Sequence, residues 1–229
     1  MTNLPAYVKV VFALTTLLTV YLFYKSTRQS TLTVIILLSW LMLQSLIGLS
    51  GFYTVTDTIP PRFPLLIGPP ILVIIALFIS SAGKRYLDRL DLKGLTLLHT
   101  IRIPVEIVLF WLFTYKSVPE LMTFEGRNFD IVSGLTAPFV YYFGFIKNKL
   151  SPKIILAWNF LCLGLLINIV VNAVLSVPSP IQKFAFDQPN IGVLYFPFNA
   201  LPACVVPLVL LSHLAAIRQL TTREIQLKQ

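Results

Sequence analysis

Acidic side chains are scarce in this sequence. Nine Asp and Glu stand among 229 residues, and charged residues of both signs make up only 12%. A typical soluble domain carries about 25%. A soluble chain that is 56% hydrophobic, with a mean hydropathy of +0.82, lacks the polar surface to cover itself. The composition predicts an integral membrane protein. Its length suits one compact bundle of about six to eight helices of about 20 residues each. Residues 1–229 are read as a single polytopic domain.

Other shortages exclude whole classes of function. There are two cysteines, Cys162 and Cys204, both inside apolar runs. Their expected depths differ by about 12 Å at ~1.5 Å per residue, whereas a disulfide needs Cα atoms within about 7 Å. No bridge is expected, and both read as small buried hydrophobes. The net charge of +9 sits in short loops between apolar runs. That pattern belongs to membrane orientation rather than to a nucleic-acid partner. No G-x-x-x-x-G-K-[ST] or G-x-G-x-x-G occurs, and no G-x-S-x-G elbow. The two histidines have no acidic residue spaced as in H-E-x-x-H, and a four-ligand zinc site would need other donors. No cofactor or metal is expected. The run 199–218 holds no lysine, so a retinal Schiff base of the usual kind is not available. Lys9 interrupts the first apolar run and no basic segment precedes it, so that run reads as a retained span rather than a cleaved signal.

What the sequence has in plenty is long apolar runs. Seven stand out, at about 6–24, 32–52, 65–82, 95–115, 131–147, 154–176 and 199–218. Most reach the roughly 17–25 residues that a helix needs to cross a bilayer. The fifth is the shortest and contains Gly134, Pro138 and Gly144, which membranes tolerate. One alternating set of loops carries twelve Lys and Arg, the other set five. The expected fold is therefore an all-α bundle of seven transmembrane helices. The charge bias puts the N-terminus outside and the C-terminus in the cytoplasm, most simply of a plasma or inner membrane. The outer segments are the more elaborate ones. Residues 177–198 mix prolines, aromatics and polar groups and are expected to fold back onto the bundle or the interface.

Ionisable groups inside such spans mark candidate sites, because each costs at least about 2.5 kcal/mol to insert. In the fourth span His99, Arg102 and Glu106 are spaced i, i+3, i+7 and share one helical face. They descend from the cytoplasmic boundary towards the midplane. Arg102 and Glu106 can pair at i, i+4, and Pro104 between them favours a kink. In the sixth span Asn168 and Asn172 share an outer face, while Asn159 lies on another face nearer the cytoplasm. Asparagines there act as interhelical glue or line a path. Gln44 in the second span is of the same kind. His213 in the seventh span matches the depth of His99. In the outer stretch EGRNFD, Asn128 or Asp130 can cap the fifth helix. Alternatively Glu125, Arg127, Asn128 and Asp130 form an outer binding rim, facing Asp187, Gln188 and Asn190 in the last outer loop.

The leading expectation is a small-molecule binding or transport protein with membrane lipid as its surroundings. Its ligand would be a small anionic or lipidic molecule, or its transport would be proton-coupled. Arg102 would meet an anionic group, Glu106 would balance it or carry a proton, and Asn168 and Asn172 would line the outer path. A second expectation is a membrane-embedded enzyme acting on a lipid or isoprenoid, with Glu106 or Asp130 as acid/base. A third is an assembly subunit whose polar residues only pack helices.

Overall fold

A computed structural model describes residues 4–226. It is all-α, with no strand among the described residues. The helices are α1 (Ala6–Ser26), α2 (Thr31–Leu49), α3 (Pro64–Ile79), α4 (Ser81–Arg89), α5 (Leu92–Leu98), α6 (Arg102–Thr114), α7 (Ile131–Tyr141), α8 (Pro152–Val174) and α9 (Val206–Gln226). A 3-10 turn, His99–Ile101, joins α5 to α6 into one nearly continuous rod. Pro104 has no N–H to give to the carbonyl one turn back, which fits the tighter winding there. Wide π turns extend α7 through Tyr142–Ile146 and precede α9 at Leu201–Val205.

Helix starts follow from local chemistry. The hydroxyls of Ser30, Ser80 and Ser151 accept from the backbone N–H three residues on, and the Asp91 carboxylate does the same for Gly94. Each satisfies a donor that a helix start leaves free. Pro64 and Pro152 open α3 and α8 at positions where a missing N–H costs nothing.

Helices occupy all seven apolar stretches, but not all are full spans. Five are long and apolar enough to cross a membrane, and a sixth if a bent pair is counted as one. The expected third span, 65–82, stops at Ile79. Its successor α4 leaves at 95°. The reason is Ser80, which adopts an extended conformation and caps the new helix. The fifth, Ile131–Ile146, is also short of a full span, at 1.5 Å per residue.

The interior is built from the α5–α6 rod and from α9. Of the candidate spans they are the most buried, at 61% and 67%, against 11% for α2. α2 sits at the edge and exposes Leu32, Ile36, Met42 and Leu49. α9 packs on α8, α5, α4 and α3, and α1 packs on α5 and α6. As expected, residues 177–198 fold back. Val193, Leu194 and Phe198 are buried, Asn190 N–H donates to Ser176 O, and Gly192 N–H to Ser117 O. Gln44 accepts from the Tyr53 hydroxyl at 2.7 Å, within its own helical hairpin, while its backbone carbonyl accepts from Asn199. Cys162 and Cys204 are free and buried.

At the end of the bundle that holds α4, the Arg218 guanidinium donates to both oxygens of Asp88 at 2.9 and 3.0 Å. Gln219 donates to Leu87 O and Leu90 O. These contacts hold the bend. A Cβ on Gly83 would lie 2.5 Å from Leu77 Cα, so the bend requires glycine there. Gly83→Ala is expected to cost about 1–3 kcal/mol through overpacking. Gly68→Ala, which meets open space, should be neutral or mildly stabilising. Thermal unfolding midpoints in detergent check the contrast, and equal midpoints would refute it.

Candidate polar site and apolar cavity

Arg102 begins α6 and is 2% exposed. Its Nη1 lies 3.0 Å from Asp130 Oδ1, an ion pair rather than an aligned hydrogen bond. The same nitrogen donates to Cys162 O at 3.5 Å, and Nη2 lies 3.1 Å from His213 Nε2. Nε has no partner. Helices α6, α7, α8 and α9 thus meet on one guanidinium.

The neighbours fix the state of His213. Asn159 donates its Nδ2 to Ile155 O at 2.9 Å, which orients the amide. Its Oδ1 therefore faces His213 Nδ1 at 2.9 Å. An amide oxygen only accepts, so Nδ1 carries the proton. A guanidinium only donates, so Nε2 offers its lone pair. Both contacts are satisfied by one neutral tautomer. His99 stacks on this ring with centroids 3.8 Å apart and planes 15° from parallel, and Trp158 meets His99 edge-on. The equal depth expected for the two histidines brings them into direct contact.

The expected Arg102–Glu106 pair is not formed. The ion pairs among the described residues are Arg102–Asp130 and Arg218–Asp88. Glu106 instead accepts from Asn128 Nδ2 at 2.6 Å through Oε1. Asn128 also donates to Met122 O and accepts from Asp130 N–H, and it is fully buried. The physical reason lies in Gly134. A Cβ there would sit 2.9 Å from Ile103 Cγ1 and 3.2 Å from Arg102 Cβ. Its absence lets the start of α7 close onto α6, and that approach delivers Asp130, one turn earlier, to the guanidinium. Asp130 occupies the cap position of α7 but makes no side-chain capping bond.

The outer rim therefore does not assemble as expected. Asn128 and Asp130 turn inward, while Glu125, Arg127 and Asp187 are exposed. Arg127 lies over the Phe184 ring at 5.8 Å. Asn168 donates to Arg127 O at 2.8 Å, and Asn172 donates to Asn168. These two asparagines tie the EGRNFD loop to α8 rather than lining a path from Arg102. Gln188 ties the loop between α8 and α9 to the end of α6 and the residues after it, through Phe113 O and Val118 O.

Beside the polar cluster lies a partly open apolar cavity. Its walls come mainly from α3, α6, α8 and the start of α9, and include Leu66, Val105, Leu166, Ile169 and Pro202. The polar residues lining it are Glu106, Asp130 and Asn190. His99, Arg102, His213, Asn168 and Asn172 do not line it. Glu106 Oε2 and Asn190 Oδ1 are buried there without a hydrogen-bond partner. Sequence reasoning missed Asn159 as a site residue and set Asn190 opposite an outer rim rather than in a cavity wall. Asn159 carried a usable signal, since it stood apart from the other two asparagines and nearer the depth of the histidines.

Fold and site together define an all-α protein with several bilayer-length apolar helices, a buried ionic cluster and an adjoining apolar cavity. The chain belongs to the family described as a domain of unknown function (DUF8737), which matches residues 60–221. That match runs from the start of α3 into α9 and contains every residue of the cluster and of the cavity lining named above. No curated protein and no solved structure matches the chain.

Removing one partner of a buried ion pair strands the other. Asp130→Ala is expected to cost about 3–5 kcal/mol. Adding Arg102→Met to it should recover most of that loss. Glu106→Gln keeps an acceptor for Asn128 and should lose far less. Equilibrium unfolding in mixed detergent measures all three. Additive losses in the double variant would show that the pair is not coupled.

Proposed function

We propose that this is a polytopic membrane protein that binds, and carries within or across the bilayer, a small and largely apolar molecule. The observation that carries the reading is the cavity. It opens beside the buried cluster, and its walls come from several helices at once. Its mostly apolar lining with a few convergent polar groups is the usual composition of such sites. α3 and α8 flank it without packing closely on each other, which suits entry from the lipid side. Glu106, with one oxygen held by Asn128 and the other unpartnered, is the group suited to exchanging a proton against a ligand. Asp130 and Arg102 are the charged groups nearest to it.

The role expected for Arg102 as an anion receptor is not part of this reading. Its charge is matched by Asp130 and it does not line the cavity. An enzyme acting on a lipid is the second reading, favoured by two carboxyl groups lining one apolar cavity. The orientation remains as the loop charges suggest, with seven crossings, the N-terminus outside and the C-terminus cytoplasmic. The bent α3–α4 pair and the short α7 each count as one crossing.

Leu166→Trp fills the cavity from α8. Native mass spectrometry of protein extracted from membranes should show a bound small molecule in the wild type and its loss in the variant. An unaltered ligand supports binding or transport, and a chemically altered one supports the enzyme. Equal occupancy in a well-folded variant would refute both. Reporter fusions at the two ends should report opposite sides of the membrane; the same side would refute seven crossings.

A further inference from the structure

The cavity's unsatisfied atoms specify the ligand's chemistry. Asn190 Oδ1 is an acceptor, and Glu106 Oε2 is one whenever its carboxyl is ionised; both are buried and without a hydrogen-bond partner. Neither can be explained by a swapped amide. Asn190 Nδ2 already donates to Ala173 O at 3.2 Å, which leaves its oxygen to the cavity. Asn128 donates to Oε1 of Glu106 and so leaves Oε2 free. Asp130 adds a second carboxylate to the lining, and no Lys or Arg lines the cavity. Arg102 is committed elsewhere, to Asp130, His213 and Cys162 O.

An anionic headgroup placed here would face two carboxylates between apolar walls, with no donor to receive it. A headgroup that donates hydrogen bonds meets the free oxygens directly. A cationic one also balances an ionised Glu106, because the Arg102 guanidinium is already matched by Asp130. We infer that the cavity selects an amphiphile with an apolar chain and a hydrogen-bond-donating head, an ammonium in preference to a hydroxyl, and disfavours carboxylates and phosphates. The inference rests on the cavity being the binding site proposed above. It reverses the polarity expected from the sequence, where Arg102 was to receive an anion.

Three probes of one chain length separate the possibilities: dodecylamine, dodecanol and dodecanoate. Their binding to the full-length protein in nanodiscs is measured by isothermal titration, with Leu166→Trp as the filled-cavity control. The expected result is Leu166-dependent binding, with dodecylamine at least tenfold tighter than dodecanoate and dodecanol between them. Glu106→Gln keeps an acceptor for Asn128 and turns an amide NH₂ to the cavity. It should lower dodecylamine affinity about tenfold and narrow or invert the preference. Leu166-dependent binding that favours dodecanoate in the wild type would overturn the donor inference and leave the proposed cavity standing. Binding that is identical in Leu166→Trp, or absent for all three probes, would overturn the inference together with the cavity reading. The wild-type probe series decides the matter even if Glu106→Gln fails to fold.

Discussion

A guanidinium buried among apolar helices has five donors and a full charge to be answered within the protein. Arg102 is in that position, and each answer fixes another part of the molecule. Asp130 supplies the counter-charge, which requires the loop before α7 to turn inward and α7 to close on α6 at Gly134. His213 supplies a lone pair, which requires its Nδ1 proton to be taken by Asn159. Cys162 supplies a carbonyl from α8. Four helices are thereby held in register by one side chain. Such a cluster adds little net stability compared with an apolar core, but loss of a single member is costly. It acts as a register pin more than as glue.

The same arrangement decides what the neighbouring cavity offers. Because Asp130 matches Arg102, Glu106 is not consumed by the pair. Asn128 takes one of its oxygens and leaves the other facing apolar walls. The segments 115–130 and 175–200 are tied to each other, since the backbone of the first accepts from Gln188 and Gly192 of the second. Two acidic residues thus differ in their contacts: Asp130 pairs with Arg102, and Glu106, one turn along α6 from that arginine, is held by Asn128.

Helix positions were legible because a sustained apolar run marks a segment long enough to cross a bilayer as a helix. The bend at Ser80 was hidden, because hydropathy runs smoothly through a serine whose side chain instead caps α4. The one-faced row of His99, Arg102 and Glu106 was legible from helical spacing, and so was the shared depth of His99 and His213. The partner of Arg102 was not. The i, i+4 rule sees only neighbours on one helix, whereas Asp130 arrives from another helix through an approach that depends on a missing Cβ at Gly134. Asn128 likewise looked like a cap residue, and only the inward fold of its loop shows it bonded to Glu106.

The central claim is that Arg102 pairs with Asp130 and so leaves Glu106 open to the cavity. Solid-state NMR distance measurements in lipid test it directly, between arginine guanidinium nitrogens and carboxyl carbons, with Asp130→Asn and Glu106→Gln spectra assigning the signals. The account predicts a short contact to Asp130 Cγ that disappears in Asp130→Asn and survives in Glu106→Gln. A short contact that instead disappears in Glu106→Gln would contradict it.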